Sequence, residues 1–152
     1  MLIEGKFFVK APIQEVWDYL LEPSILASCI PGAENVEAID AKTYECTVKQ
    51  KVGPISVKLR FTTTITEADP PKYLRAVGRG GDTGKASTFT QETIVNLSET
   101  GENEVEISYS SNVSLVGRLA TFGERIMRAK SKTVGEEFTK NLQERLGSQT
   151  PT

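Results

Sequence analysis

The sequence predicts an α+β domain in which a curved, seven-stranded antiparallel sheet wraps a long C-terminal helix, with a short helix pair after the first strand and a hydrophobic cavity between sheet and helix. Three observations carry this. From Asn35 to about Val116 the apolar residues recur at a period of two. After Gly117 the period becomes that of a helix and persists to Leu146, far beyond the mean helix length of about 12 residues. Between the first strand and the sheet run lie two short apolar stretches of helical spacing.

Leu2 to Lys10 carries Phe7, Phe8 and Val9 and reads as a strand that stops at Ala11-Pro12, where proline suits the start of a helix. Ile13, Val16, Trp17, Leu20 and Leu21 then form one apolar stripe, with Gln14, Glu15 and Asp18 outside it. Pro23 ends that helix. Ser24 to Ile30 forms a second, shorter one, closed by Pro31-Gly32. Five of the six remaining strands are Val36–Ile39, Tyr44–Val52, Ile55–Ile65, Tyr73–Val77 and Ala86–Leu97, and Val105–Leu115 is the last. Turns are expected at Gly53-Pro54, Asp69-Pro70-Pro71, the glycine-rich Gly78–Gly84 and Ser98–Asn103. In the final helix Leu119, Phe122 and Ile126 make one stripe, and Val134, Phe138, Leu142 and Leu146 make another at four-residue spacing. Each step of four drifts by about 40 degrees, so the helix must cross its sheet diagonally or bend near Ser131 to Gly135. The chain reads as one domain over residues 1–146, followed by a disordered tail over 147–152.

Composition narrows the function. The 152 residues carry 18 Lys plus Arg against 20 Asp plus Glu, a formal charge of -2, which gives no footprint for nucleic acid. The absence of histidine removes imidazole bases, Ser-His-Asp systems and nearly all transition-metal sites. Cys29 and Cys46 lack metal or redox spacing and read as small buried hydrophobes. The start of the chain has no secretory pattern, and no run approaches the roughly 20 apolar residues of a membrane span. The expected location is the cytoplasm, with any membrane contact peripheral.

The run Gly78-Arg79-Gly80-Gly81-Asp82-Thr83-Gly84-Lys85-Ala86 is not a phosphate loop, because Arg79 and Ala86 stand where Gly and Ser or Thr are required and a strand follows it. On the strands Glu45 and Glu106 face outward, whereas the inward polar residues are Gln50, Thr63, Gln91, Thr93, Tyr109 and Ser111. These are either satisfied core polars or the lining of a cavity for an apolar ligand with one or two carbonyls. Small residues at Gly117, Ala120 and Gly123 leave volume beside the final helix, which favours a cavity. Its expected walls are Leu26, Cys29 and Ile30; Val48, Gln50, Val57, Leu59 and Phe61; Phe89, Gln91 and Tyr109; and Leu119, Phe122, Ile126 and Met127. The long helix carries a local charge of +3, with Arg118, Arg125, Arg128 and Lys132 on one side, opposite the Leu119, Phe122, Ile126 stripe. This is either a solvated face or a docking surface for anionic lipid or an acidic partner.

The order of elements resembles the Bet v 1-like, START-like superfamily of helix-grip proteins. Ala11-Pro12 with Val16-Trp17, Leu26-Ala27, Cys29-Ile30-Pro31-Gly32, Val52-Gly53-Pro54-Ile55 and Val116-Gly117-Arg118-Leu119-Ala120 with Gly123 resemble the CoxG family of carbon monoxide dehydrogenase, from Gly5 to about Leu142. The resemblance implies an accessory protein of molybdenum hydroxylase systems that binds a lipophilic molecule, quinone- or isoprenoid-like, and helps bring the dehydrogenase to the cytoplasmic membrane. It implies no catalytic residue, no metal and no covalently bound cofactor. The sequence departs from the family pattern at Glu22 and at Lys85-Ala86-Ser87-Thr88, and no hydrophobic anchor follows the domain. Two other readings stand beside this one: a cyclase- or dehydratase-type enzyme using Tyr109 or an acid, and a pure protein-docking module.

Overall fold

In the computed structural model, which describes residues 1–84 and 87–147, seven strands form one antiparallel sheet. They are β1 (Leu2–Val9), β2 (Ala33–Ala38), β3 (Thr43–Val52), β4 (Ile55–Asp69), β5 (Tyr73–Asp82), β6 (Ser87–Gly101) and β7 (Glu104–Gly117). Their spatial order is β1-β7-β6-β5-β4-β3-β2, so the sheet stays open, with β1 and β2 as its edges. Helices α1 (Ile13–Leu21) and α2 (Pro23–Cys29) follow β1, with Pro23 in the first turn of α2. A 3-10 turn (Arg118–Phe122) and helix α3 (Gly123–Gly147) follow β7.

The period-two reading holds strand by strand, but several boundaries move. Gly78, Gly80 and Gly81 are not a turn: they continue β5 to Asp82, and the turn lies at Thr83-Gly84. The glycines serve closeness. A Cβ at Gly80 would collide with the Arg60 carbonyl and with the Phe61 Cβ, so only glycine lets β5 come this near β4. Strands β4 and β6 outrun their expected ends, because bulges between Ile65 and Glu67 and between Glu99 and Gly101 shift the register and break the alternation. Strand β2 starts earlier than expected and leaves Ile39 exposed. Ala86 and residues 148–152, where a strand start and a disordered tail are expected, lie outside the described residues.

The final helix also differs from expectation. It starts at Gly123 rather than Gly117 and runs without interruption through Ser131–Gly135. The break falls at the two glycines that flank the 3-10 turn, Gly117 at φ 95° and Gly123 at φ 83°. Both are conformations that a side chain disfavours, so the chain swivels there instead of bending in mid-helix.

Two separate apolar clusters hold the fold. The larger joins Val9, Val16, Trp17, Cys29, Leu97, Val105 and Ile107 to Leu142 and Leu146 at the far end of α3. The smaller lies at the other end of the molecule, where Val52, Val57 and Leu119 are buried against Leu59, Phe122 and Met127. Thus α3 touches one cluster with Met127 and the other with its last two turns, as a diagonal crossing requires. Its neighbours are β1, α2 and the 3-10 turn. Arg128 Nη1 donates to the Leu2 carbonyl at 2.6 Å and Gln143 Nε2 to the Phe8 carbonyl at 2.8 Å, so the helix runs beside the β1 edge.

Two substitutions test this division. Leu142 is 1% exposed, so Leu142→Ala is expected to lose about 3 kcal/mol in urea unfolding; a loss below about 1 kcal/mol would show that the far end of α3 is not an anchor. In the smaller cluster the buried Leu119 amide donates to Ser87 Oγ at 2.8 Å. Ser87→Ala strands that amide and should cost about 1–3 kcal/mol, with faster hydrogen exchange at Leu119 than at Leu142.

Candidate functional site

Between the two clusters the inner face of the sheet is neither apolar nor closed. Antiparallel pairing stacks its side chains in cross-strand rows. One row is Cys46, Phe61, Gly80, Phe89 and Leu115; the next is Tyr44, Thr63, Gly78, Gln91 and Val113; the third is Ile65, Ala76, Thr93 and Ser111. Thr63, Gln91, Thr93, Ser111 and Tyr109 point inward yet remain half-buried, whereas the residues at either end of the same face are fully buried. Solvent therefore reaches the middle of the inner face. The site is a trough, with β4, β5 and β6 as its floor and α3 along its β1 side.

The hydrogen bonds of the trough divide its polar groups in two. Tyr44 donates to the Leu21 carbonyl at 2.6 Å and Gln50 to the Pro31 carbonyl at 2.6 Å, tying the helix pair and its following loop to β3. Thr93 and Ser111 share a hydrogen bond of 2.9 Å. Phe61 and Phe89 meet edge to face, with ring centroids 5.4 Å apart. The Tyr109 ring lies across Gly5 of β1 and reaches α3, where a Cβ at Gly135 would stand 3.2 Å from its hydroxyl. Burial raises the pKa of both Cys46 and Tyr44, with lesser contributions from Glu45 and Glu22 respectively. Both therefore stay protonated and neutral at pH 7.

The expected walls separate into three groups. Phe61, Phe89, Gln91 and Tyr109 line the trough. Val48, Val57 and Leu119 are buried, with Val57 and Leu119 inside the smaller cluster; Leu59, Phe122 and Met127 pack against that cluster and close one end. Gln50 faces inward but is held by Pro31, and Leu26 and Ile30 are half-buried on the helix pair. Two expectations need correction. Cys29 is no wall: it is 0% exposed inside the main core, and burial raises its thiol pKa. Ile126 is 47% exposed and faces away from the site, because the swivel at Gly123 takes it out of line with Leu119.

The basic set is corrected as well. Arg118, Arg125, Arg128 and Lys132 are all exposed, but Arg118 sits on the 3-10 turn and not on the helix. Arg128 is engaged with Glu124 and the Leu2 carbonyl. Sequence reasoning missed a feature of the opposite sheet face, where Thr62, Thr64, Arg79, Thr90, Glu92 and Asn112 frame an open depression of about 620 Å³. Its hydroxyls and charges suit water better than an apolar molecule. Among the described residues no three His, Cys, Asp or Glu side chains gather as a metal site, and no helix is long and apolar enough to cross a membrane.

Comparison with solved structures places this geometry in a known fold. A conserved protein from Geobacillus kaustophilus superposes with a TM-score of 0.89 at 22% identity, over 97% of this chain and 96% of that one. A START superfamily protein from Mycobacterium smegmatis gives 0.73 at 12% identity, over 98% and 99% of the two chains. An aromatase/cyclase from a Streptomyces species gives 0.71 at 12% identity, over 100% and 96%. At such identities the likeness shows a shared helix-grip fold. No curated protein matches the sequence. The family pattern of the carbon monoxide dehydrogenase protein CoxG, however, matches residues 5–147, nearly the whole of the described chain. The chain belongs to the CoxG family of carbon monoxide dehydrogenase.

Proposed function

We propose that the trough holds a hydrophobic small molecule, a quinone- or isoprenoid-like lipid, bound without a covalent link. One observation carries this reading: the middle of the inner face is open to solvent and lined by neutral hydrogen-bonding groups, with apolar clusters closing both ends. An apolar molecule with a few neutral oxygens can be desolvated there without burying a charge. Family membership supports the wider role of a cytoplasmic accessory protein that serves a molybdenum hydroxylase of the carbon monoxide dehydrogenase type at the membrane surface. The exposed Arg118, Arg125 and Lys132 give it a cationic side for anionic lipid.

The scaffold also carries an aromatase/cyclase, so an enzyme is the second reading. Tyr44 and Cys46 favour the carrier. Both face inward, both are held in the neutral form by burial, and Tyr44 is already committed to the Leu21 carbonyl.

Organic extraction of the native protein, followed by absorbance and mass spectrometry, should release one apolar species in near-stoichiometric amount. An empty extract from protein that also fails to take up added lipid would overturn the reading. In flotation with vesicles containing anionic lipid, the triple variant Arg118→Glu, Arg125→Glu, Lys132→Glu should lose most of its association at low salt while the extracted species is unchanged. Equal flotation of the variant and the unaltered protein would remove the membrane part of the proposal.

A further inference from the structure

Among the described residues, most polar side chains on the inner face are spoken for. Tyr44, Gln50, Ser87, Thr93 and Ser111 each have a partner. Thr63 and Gln91 do not, although both are half-buried, and they stand on either side of the same glycine. A Cβ on Gly78 would lie 3.1 Å from Thr63 Oγ1 and 3.2 Å from Gln91 Nε2, so two hydrogen-bonding groups from different strands converge over the one residue that has no side chain. Any larger residue would push them apart. Phe61 and Phe89 come two residues earlier on the same strands and on the same face, about 7 Å along, and supply an aromatic surface beside the polar pair. Tyr109, the third inward group without a partner, lies four residues from the Gln91 cross-strand partner Val113 and so about 13 Å away, outside this cluster.

We propose that Thr63 and Gln91 form the head-group subsite of the trough and take the carbonyl oxygen of an aromatic or quinonoid ring. This rests on the reading that the trough holds an apolar ligand. The Thr63 hydroxyl and the Gln91 amide both donate to the one oxygen, and the ring that bears it packs against Phe61 and Phe89. Two neutral donors select an uncharged acceptor. A carboxylate would enter a site with no compensating cation, and a plain hydrocarbon would leave both donors unanswered. The subsite therefore fixes which end of the ligand is held at the centre of the sheet, with the apolar remainder directed along the trough.

Two dyes of similar bulk separate the subsite from the trough. Diphenylhexatriene is a pure hydrocarbon, whereas prodan is an aryl ketone whose emission moves to the red when its carbonyl accepts hydrogen bonds. The unaltered full-length protein, stripped of lipid, should bind both. The double variant Thr63→Val, Gln91→Leu should bind prodan about tenfold more weakly, with its emission moved to the blue, and should keep its diphenylhexatriene affinity to within about twofold. Each single variant, expected to lose prodan affinity about threefold, carries the test if the double variant does not fold. Gly78→Ala should act in the same direction. Unchanged prodan affinity and emission in the variants would overturn the subsite and leave the trough standing, as would an equal loss of both dyes. Failure of diphenylhexatriene to bind the unaltered protein would instead overturn the trough itself.

Discussion

The burial of Leu142 and Leu146 beneath Trp17, Val105 and Ile107 sets the position of the last helix, and the rest of the inner face depends on that position. A 25-residue helix is a rod about 38 Å long. Bulges in β4 and β6, together with the close approach of β5 to β4, bend the sheet, and a rod fixed at one end of a bent sheet cannot follow its surface. The chain resolves the mismatch at Gly117 and Gly123, which let the 3-10 turn drop Leu119 into its own cluster while α3 leaves in another direction. The space between the two anchors is what such a compromise leaves behind. It needs no large missing side chain to explain it.

The strands are legible in the sequence because inward and outward residues differ strongly in polarity, as in Ile55, Val57, Leu59 and Phe61 against Ser56, Lys58 and Arg60. Two kinds of error remain, and both have a physical source. The alternation is a local signal, so a bulge resets it and the pattern breaks off before the strand does, as at Ile65. Glycine is ambiguous, since it marks turns and also marks close backbone approach; Gly80 is the second kind, and composition alone suggests the first. In the site, the inward polar set is visible from parity alone. Which of its members lack a partner is not, because Gln50 finds Pro31 and Tyr44 finds Leu21 across 19 and 23 residues of chain. Cys29 and Ile126 are misplaced by sequence because helical spacing gives a face but not what the face meets.

The fold and the family membership speak to different levels of function. The same scaffold serves a START superfamily protein and an aromatase/cyclase, so the scaffold leaves the chemistry open, and a handful of inward side chains must decide it. Here those side chains are hydroxyls, amides and aromatic rings, with the charged residues turned to the other face, where Arg60 pairs with Glu45 and Arg75 with Glu92. A lining of this kind can recognise shape and neutral oxygen, and it makes little demand on pH.

An open sheet has two bare edges, and this one treats them unequally. Along β1, α3 reaches across to occupy the Leu2 and Phe8 carbonyls, so the helix that borders the trough also caps a row of groups that would otherwise recruit a foreign strand. At the opposite edge β2 is only six residues long and carries Glu34 and Glu37, and Glu34 is held to Lys58. Loosening the helix would thus do more than widen a binding site. It would uncover the longer and more apolar edge, flanked by the exposed side chains of Leu2 and Phe8. Release of a ligand by wholesale departure of the helix would therefore carry a risk of self-association, and natural selection on such a protein should favour exit through the 3-10 turn over movement of the helix itself.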